Sequence, residues 1–203
     1  MCLKACYGQG RKCLNLPNWA EKAEYSNGAR TLNITLRPGH RWSDGHLLTA
    51  DDYLFFFEHF LMNKDLTPVV EPRFKGARIE KHDAHSFSYH FPQPMPLFVN
   101  HLAHNSSRLA IPAHFMKRYH PSFTDRAQLE DEAEELGLQD WRTYLTAVNA
   151  TNDLLFFGRP VLTAYVLVSR TSTRTRLRRN PYYPKVDPEG NQLPYIDYLE
   201  VQR

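Results

Sequence analysis

A mixed α/β fold is expected for this chain of 203 residues, and three observations predict it. Residues 30–37 alternate strictly between apolar and polar side chains. Residues 49–61 place an apolar stripe at helical spacing behind a capping sequence, and residues 164–201 return to period two. Strands on both sides of a helical middle fit α/β or α+β rather than an all-helical protein.

Taken in order, RTLNITLR at 30–37 puts Leu32, Ile34 and Leu36 on one face and Thr31, Asn33 and Thr35 on the other, the pattern of a half-buried strand. Asn27-Gly28 before it tolerates positive φ and predicts a tight turn from a strand ending near Tyr25, while Pro38-Gly39 stops it. Thr49 then caps a helix whose first turn carries Asp51 and Asp52, facing unpaired N–H groups and the positive end of the helix dipole. Tyr53, Phe56, Phe57, Phe60 and Leu61 follow at i, i+3, i+4, i+7 and i+8, a core-directed stripe rather than a stacking platform for bases or sugars.

Beyond Pro68 and Pro72, HSFSYHF sets Phe87, Tyr89 and Phe91 on one face of another strand, ended by Pro92, Pro94 and Pro96. Residues 122–137 predict a helix started by Thr124 or Asp125 and stopped by Gly137. Leu129, Ala133 and Leu136 form its inner face, and Glu130, Asp131, Glu132, Glu134 and Glu135 a solvated one. Residues 140–148 predict a third helix with Trp141, Tyr144, Leu145 and Val148 inward. Residues 164–169, 170–179 and 195–201 read as strands around a turn-rich stretch.

Charged residues make up 23% and hydrophobic ones 42% of the chain, at a net charge of +3, which excludes a disordered polyelectrolyte. A membrane span is excluded too, because the richest apolar stretch, 53–61, is interrupted by Glu58 and His59. All three cysteines, Cys2, Cys6 and Cys13, fall within residues 1–16, so no disulfide framework holds the body. Their C-x3-C-x6-C spacing is not a common zinc pattern, and this segment reads as an unrelated or disordered tail before a domain at 17–203. The tail has no continuous apolar core of the kind a secretory signal needs, so the chain as written is expected to stay in the cytoplasm.

Chemistry finds little footing. His82, His85, His90, His101 and His104, with Asp83, are close in sequence but carry no ligand motif, and no metal or cofactor is expected. No nucleophile elbow and no phosphate loop occur, and Asp51 and Asp52 are explained as a helix start, leaving Asp44 without a partner for acid–base work. An enzyme is not expected. Arg174, Arg176 and Arg178 share one strand face that could grip phosphates, but the net charge gives no basic field and Arg-Thr alternation is what an exposed sheet face looks like, so nucleic acid is the lesser alternative and is not expected as a partner. The sequons at Asn33, Asn105 and Asn149 carry no inference.

Two stretches carry a resemblance. Residues 18–61 run from an Ala-Glu opening through a strand to Leu-Arg-x-Gly, Trp-Ser-Asp-Gly and Thr-Ala-Asp-Asp. Residues 177–201 run from Arg-Asn-Pro-Tyr-Tyr to Leu-Pro-Tyr-Ile-Asp and a strand. Together they resemble family 5 of the extracellular solute-binding proteins, the peptide, dipeptide, oligopeptide and nickel class. The resemblance implies one lobe of a two-lobed periplasmic-binding-protein-like fold, ending near the hinge strand. It also implies a periplasmic or cell-surface receptor that captures a peptide or similar small solute for an ABC importer permease, by hinge closure and without chemistry. Trp42, Asp44, Gly45, Asn180, Pro181 and Tyr182 then belong to structural motifs that mark the fold rather than the ligand.

The family's usual Gly-Pro-Tyr is replaced by Thr163-Ala164-Tyr165, and the family's signal segment and second lobe have no counterpart in this sequence. A fragment with half a cleft is expected to bind weakly, since the contacts of the other wall are lost. Arg159 and Tyr165, flanking the return to the sheet, are the candidate ligand-binding residues. A reading from another class is an interaction module that recruits a partner by adding a strand beside 195–201.

Overall fold

The computed structural model describes residues 3–7, 12–16, 19–105, 109–150 and 158–202. Cys2 lies outside them, as do the side chains of Cys6, Cys13, His104 and Asn105. The chain divides into two compact units, Met1–Gly39 with Leu48–Ile111, and His40–Leu47 with Pro112–Arg203.

The first unit opens on β1 (Leu3–Tyr7) and β2 (Lys12–Leu16), an antiparallel ribbon with Cys6 opposite Cys13, where composition reads a tail. The main sheet of this unit has the order β3-β4-β6-β5 and is antiparallel throughout, built from β3 (Ala20–Ser26), β4 (Thr31–Leu36), β5 (Arg78–Lys81) and β6 (Ser86–His90). The hairpin between β3 and β4 turns at Asn27 and Gly28, both at positive φ, as their side chains predict. Alternation delivers Leu32, Ile34, Leu36, Phe87 and Tyr89 to the core, all nearly inaccessible to solvent. β5 was not legible in the sequence, because this edge strand exposes Arg78, Glu80 and Lys81 and has no apolar face to announce it.

The capped helix forms as α1 (Ala50–Phe56), where the Thr49 N–H donates to Asp52 Oδ2 at 3.0 Å and Lys81 grips Asp51 at 2.7 Å. Its apolar stripe differs from the expected one. At Phe57–Leu61 the chain widens into a π-helical turn, with the Met62 N–H reaching back to the Phe57 carbonyl at 2.9 Å. Phe55, ahead of this turn, is buried, while Phe56 and Leu61 are only half-buried. Tyr53, Phe57 and Phe60 do point inward, and Tyr53 stacks on Phe87 with ring centroids 4.9 Å apart. Phe74, Phe91 and Phe98 extend this aromatic core, and Phe98 begins α2 (Phe98–Asn105). Each such ring taken from water contributes about 2 kcal/mol, so the cluster dominates the stability of this unit.

The second unit contains α3 (Ala113–Met116), α4 (Arg126–Glu135) and α5 (Trp141–Asn149), followed by β7 (Tyr165–Arg170), β8 (Arg174–Arg179) and β9 (Tyr198–Gln202). Asp125 and Asp140 cap α4 and α5 by accepting from the N–H groups of Ala127 and Thr143. Leu129 and Ala133 are buried as expected, but Leu136 is 43% exposed, because the chain leaves the helix there and turns at Gly137, φ 69°. Two acids of the expected solvated face have partners on the next helix: Glu130 accepts from the Trp141 N–H at 2.9 Å and Glu132 from the Tyr144 hydroxyl at 2.8 Å. The sheet β7-β8-β9 is antiparallel, with a register shift between Leu167 and Ser169.

Candidate functional site

Two of the motifs that carry the resemblance, Trp42-Ser43-Asp44-Gly45 and Asn180-Pro181-Tyr182, come together within the second unit. In the loop 40–47, Arg41 bridges to Leu47, and the Trp42 N–H donates to the His46 carbonyl at 2.8 Å while Trp42 itself is buried. The Gly45 N–H closes the turn on the Trp42 carbonyl, and Gly45 adopts φ 94°, a conformation side chains resist. Ser43 ties this loop to the segment before β7: its N–H donates to the Val161 carbonyl and its hydroxyl accepts from the Val161 N–H, both at 3.0 Å.

Asn180 fixes the other motif. It is fully buried, its amide donates to the Thr163 carbonyl at 2.9 Å, and its side-chain oxygen accepts from the Tyr182 N–H at 2.9 Å. That turn, carrying Pro181, aims the Tyr182 ring at Gly45, where an added Cβ would lie 3.0 Å from the Tyr182 hydroxyl oxygen. Sequence positions far apart therefore meet, and each has a packing or hydrogen-bonding task.

Asp44 is the exception, because it faces solvent and other polar groups. Its Oδ1 accepts from the His46 N–H at 3.1 Å, and its Oδ2 lies 2.7 Å from His114 Nε2 and 3.4 Å from His46 Nδ1. Partial burial works against its charge, yet the hydrogen bonds from His114 and the His46 backbone outweigh it and hold the carboxyl below its ordinary value. Sequence reasoning missed His46 and His114 because nothing local links them. The histidines it did single out have separate partners: His82 meets Ser88, His90 meets Glu80, and His101 meets Arg73.

Arg159 is half-buried, and its Nε is buried with no hydrogen-bond partner among the described residues. Loss of solvent pushes its guanidinium down to about 10, so it stays charged at neutral pH. Tyr165 opens β7, half-buried, and its hydroxyl donates to the Ile196 carbonyl at 3.2 Å, which commits that group to the sheet. Arg174, Arg176 and Arg178 do share the exposed face of β8. Glu200 on β9 lies 3.9 Å from Arg174 and 3.7 Å from Arg176, and Arg176 also covers the Tyr198 ring, so two of the three cations are offset by neighbours.

The profile of the bacterial extracellular solute-binding proteins, family 5 Middle, matches residues 16–202. The chain belongs to this family. It is 30% identical over 192 residues to the periplasmic alpha-galactoside-binding protein of Rhizobium meliloti (strain 1021), covering 92% of this chain and 25% of that protein. Among solved structures, the oligopeptide-binding protein OppA superposes with a TM-score of 0.83 at 31% identity, over 92% of this chain and 29% of its own. The periplasmic binding protein MelB of agrobacterium fabrum C58, in complex with stachyose, gives 0.72 at 26% identity, over 99% of this chain and 29% of its own. The family 5 member therefore spans between a quarter and a third of the length of these relatives, and its mixed α/β architecture is that of one lobe of the periplasmic-binding-protein fold. No helix among its described residues is long and apolar enough to cross a membrane.

Proposed function

We propose that this family 5 chain serves as part of the solute-capturing component of an ABC importer outside the cytoplasm, holding its ligand without chemical change and presenting it to a permease. The observation that carries the reading is the family match over residues 16–202. Resemblance alone suggests a peptide ligand, and the likeness to OppA supports that class. Two relatives favour a second class, since one is named for alpha-galactosides and the other holds stachyose, itself an α-galactosyl oligosaccharide. The proposed ligand is therefore an α-galactoside-type oligosaccharide, with an oligopeptide as the alternative.

Within this reading Arg159 is the polar anchor, because it is half-buried and its Nε has no hydrogen-bond partner among the described residues. Tyr165 contributes its ring, its hydroxyl being engaged. Because the chain spans a minor part of its relatives, its affinity alone is expected to be low. The test is thermal unfolding of the chain with stachyose, and separately with a pool of short peptides, at millimolar concentration. Binding to the native state raises the midpoint by linkage. A rise with stachyose alone supports the oligosaccharide, and a rise with peptides alone replaces it with the oligopeptide. A cooperative melt indifferent to both overturns ligand capture by this part of the protein.

A further inference from the structure

We propose that Asp44, His46 and His114 form a binding site for one divalent transition-metal ion of the zinc, nickel or copper class. The ligand atoms of the three residues all lie within 4.8 Å of one another, the sole such group of three among the described residues. Two imidazole nitrogens and one carboxylate oxygen are a donor set that suits borderline cations and not calcium or magnesium, which take oxygen.

The geometry is close to a metal site without being one yet. Edges between donor atoms of a tetrahedral zinc centre are about 3.3 Å, given metal–ligand bonds near 2.0–2.1 Å. Asp44 Oδ2 stands 3.4 Å from His46 Nδ1 and 2.7 Å from His114 Nε2, so one contact already fits and the other must open slightly. The Asp44 carboxylate is held by its other oxygen, Oδ1, on the His46 backbone N–H, which leaves Oδ2 directed at both rings.

The two imidazoles stack with centroids 3.9 Å apart and planes 13° from parallel. Lone pairs of parallel rings run side by side, so one ring must swing for both to meet one ion. His46 has the freedom to do so, its side chain being 63% exposed, whereas His114, on α3 with 25% exposure, is the fixed ligand. Three protein ligands leave the remaining position to water.

The test uses the full chain without a histidine tag and with Cys2, Cys6 and Cys13 changed to Ser, so that thiolates cannot take the ion. Cobalt(II) is titrated while its visible d–d bands are followed, and zinc(II) by calorimetry. The expected result is saturation at one equivalent, with affinity reduced about tenfold or more in each of His46→Ala, His114→Ala and Asp44→Asn. Far-UV circular dichroism of the metal-free variants checks the fold, and should Asp44→Asn fail to fold, the exposed His46 carries the test. Absence of saturable binding, or binding in His46→Ala and His114→Ala as tight as in the parent chain, overturns the proposal.

Discussion

The Tyr182 ring rests against the α-carbon of Gly45, so that a methyl group placed there would sit 3.0 Å from its hydroxyl oxygen and 3.1 Å from Cζ. Gly45 also holds φ 94°, so two constraints exclude a side chain. Gly45→Ala is expected to destabilise the chain by about 1–2 kcal/mol from the backbone alone. Because the clashing atom is the tip of a side chain that can retreat, Tyr182→Ala should recover only the smaller, steric share in the double variant. A double-mutant cycle by denaturant unfolding measures that share. Full recovery would mean that contact, not φ, makes glycine necessary.

Asn180 joins the same motif to the segment before β7, and its replacement should cost more than its size suggests. Asn180→Ala removes a fully buried side chain and leaves the part-buried Thr163 carbonyl and Tyr182 N–H without it, at an expected cost of about 1–3 kcal/mol for the pair. Asn180→Asp keeps the acceptor for Tyr182 but sets a carboxylate against the Thr163 carbonyl, so it should be no better. Chemical denaturation of both variants checks the ordering against wild type.

Asp187 gives a pH signature in the turn before β9. The Tyr195 hydroxyl, then the Asn191 side chain and backbone, donate to its carboxylate and push its pKa down to about 2 from 3.8. A depressed folded-state pKa means that the turn is favoured above pH 3.8 and loses that favour as pH falls toward 2. Carboxyl chemical shifts followed by NMR should place the midpoint near 2. In Tyr195→Phe the midpoint should rise but stay below 3.8, since the Asn191 donors remain. An unchanged midpoint would show that Tyr195 does not hold the acid.

Periodic and capping signals made much of this fold legible: β4 and β6 by alternation, α1, α4 and α5 by Thr49, Asp125 and Asp140 before apolar stripes. What failed did so for identifiable reasons. Phe56 and Leu61, expected in the core stripe, are only half-buried, and the helix that carries them changes from α to π winding at Phe57–Leu61, which an even helical spacing does not anticipate. Leu136 falls on the inner stripe by spacing but lies outside it because α4 ends at Glu135 and the chain turns away at Gly137. The edge strand β5 hides because solvent, not a core, selects Arg78, Glu80 and Lys81. The cluster at Asp44 was illegible for another reason: His114 comes to it through tertiary packing, which leaves no spacing to read.

Arg159 separates stability from binding. Its buried Nε, without a partner among the described residues, is a cost that folding carries, and the lowered pKa, caused by desolvation, has the same origin. Arg159→Met keeps the length and apolar stem of the side chain and removes the charge, so the melting midpoint of the free chain should stay level or rise. If Arg159 anchors the captured solute, the same variant should lose the midpoint rise that stachyose or peptides produce in wild type. The two melts, with and without ligand, therefore distinguish the roles. A variant that is destabilised without ligand would show that Arg159 holds the fold, whereas one that keeps the full ligand response would remove it from the binding site.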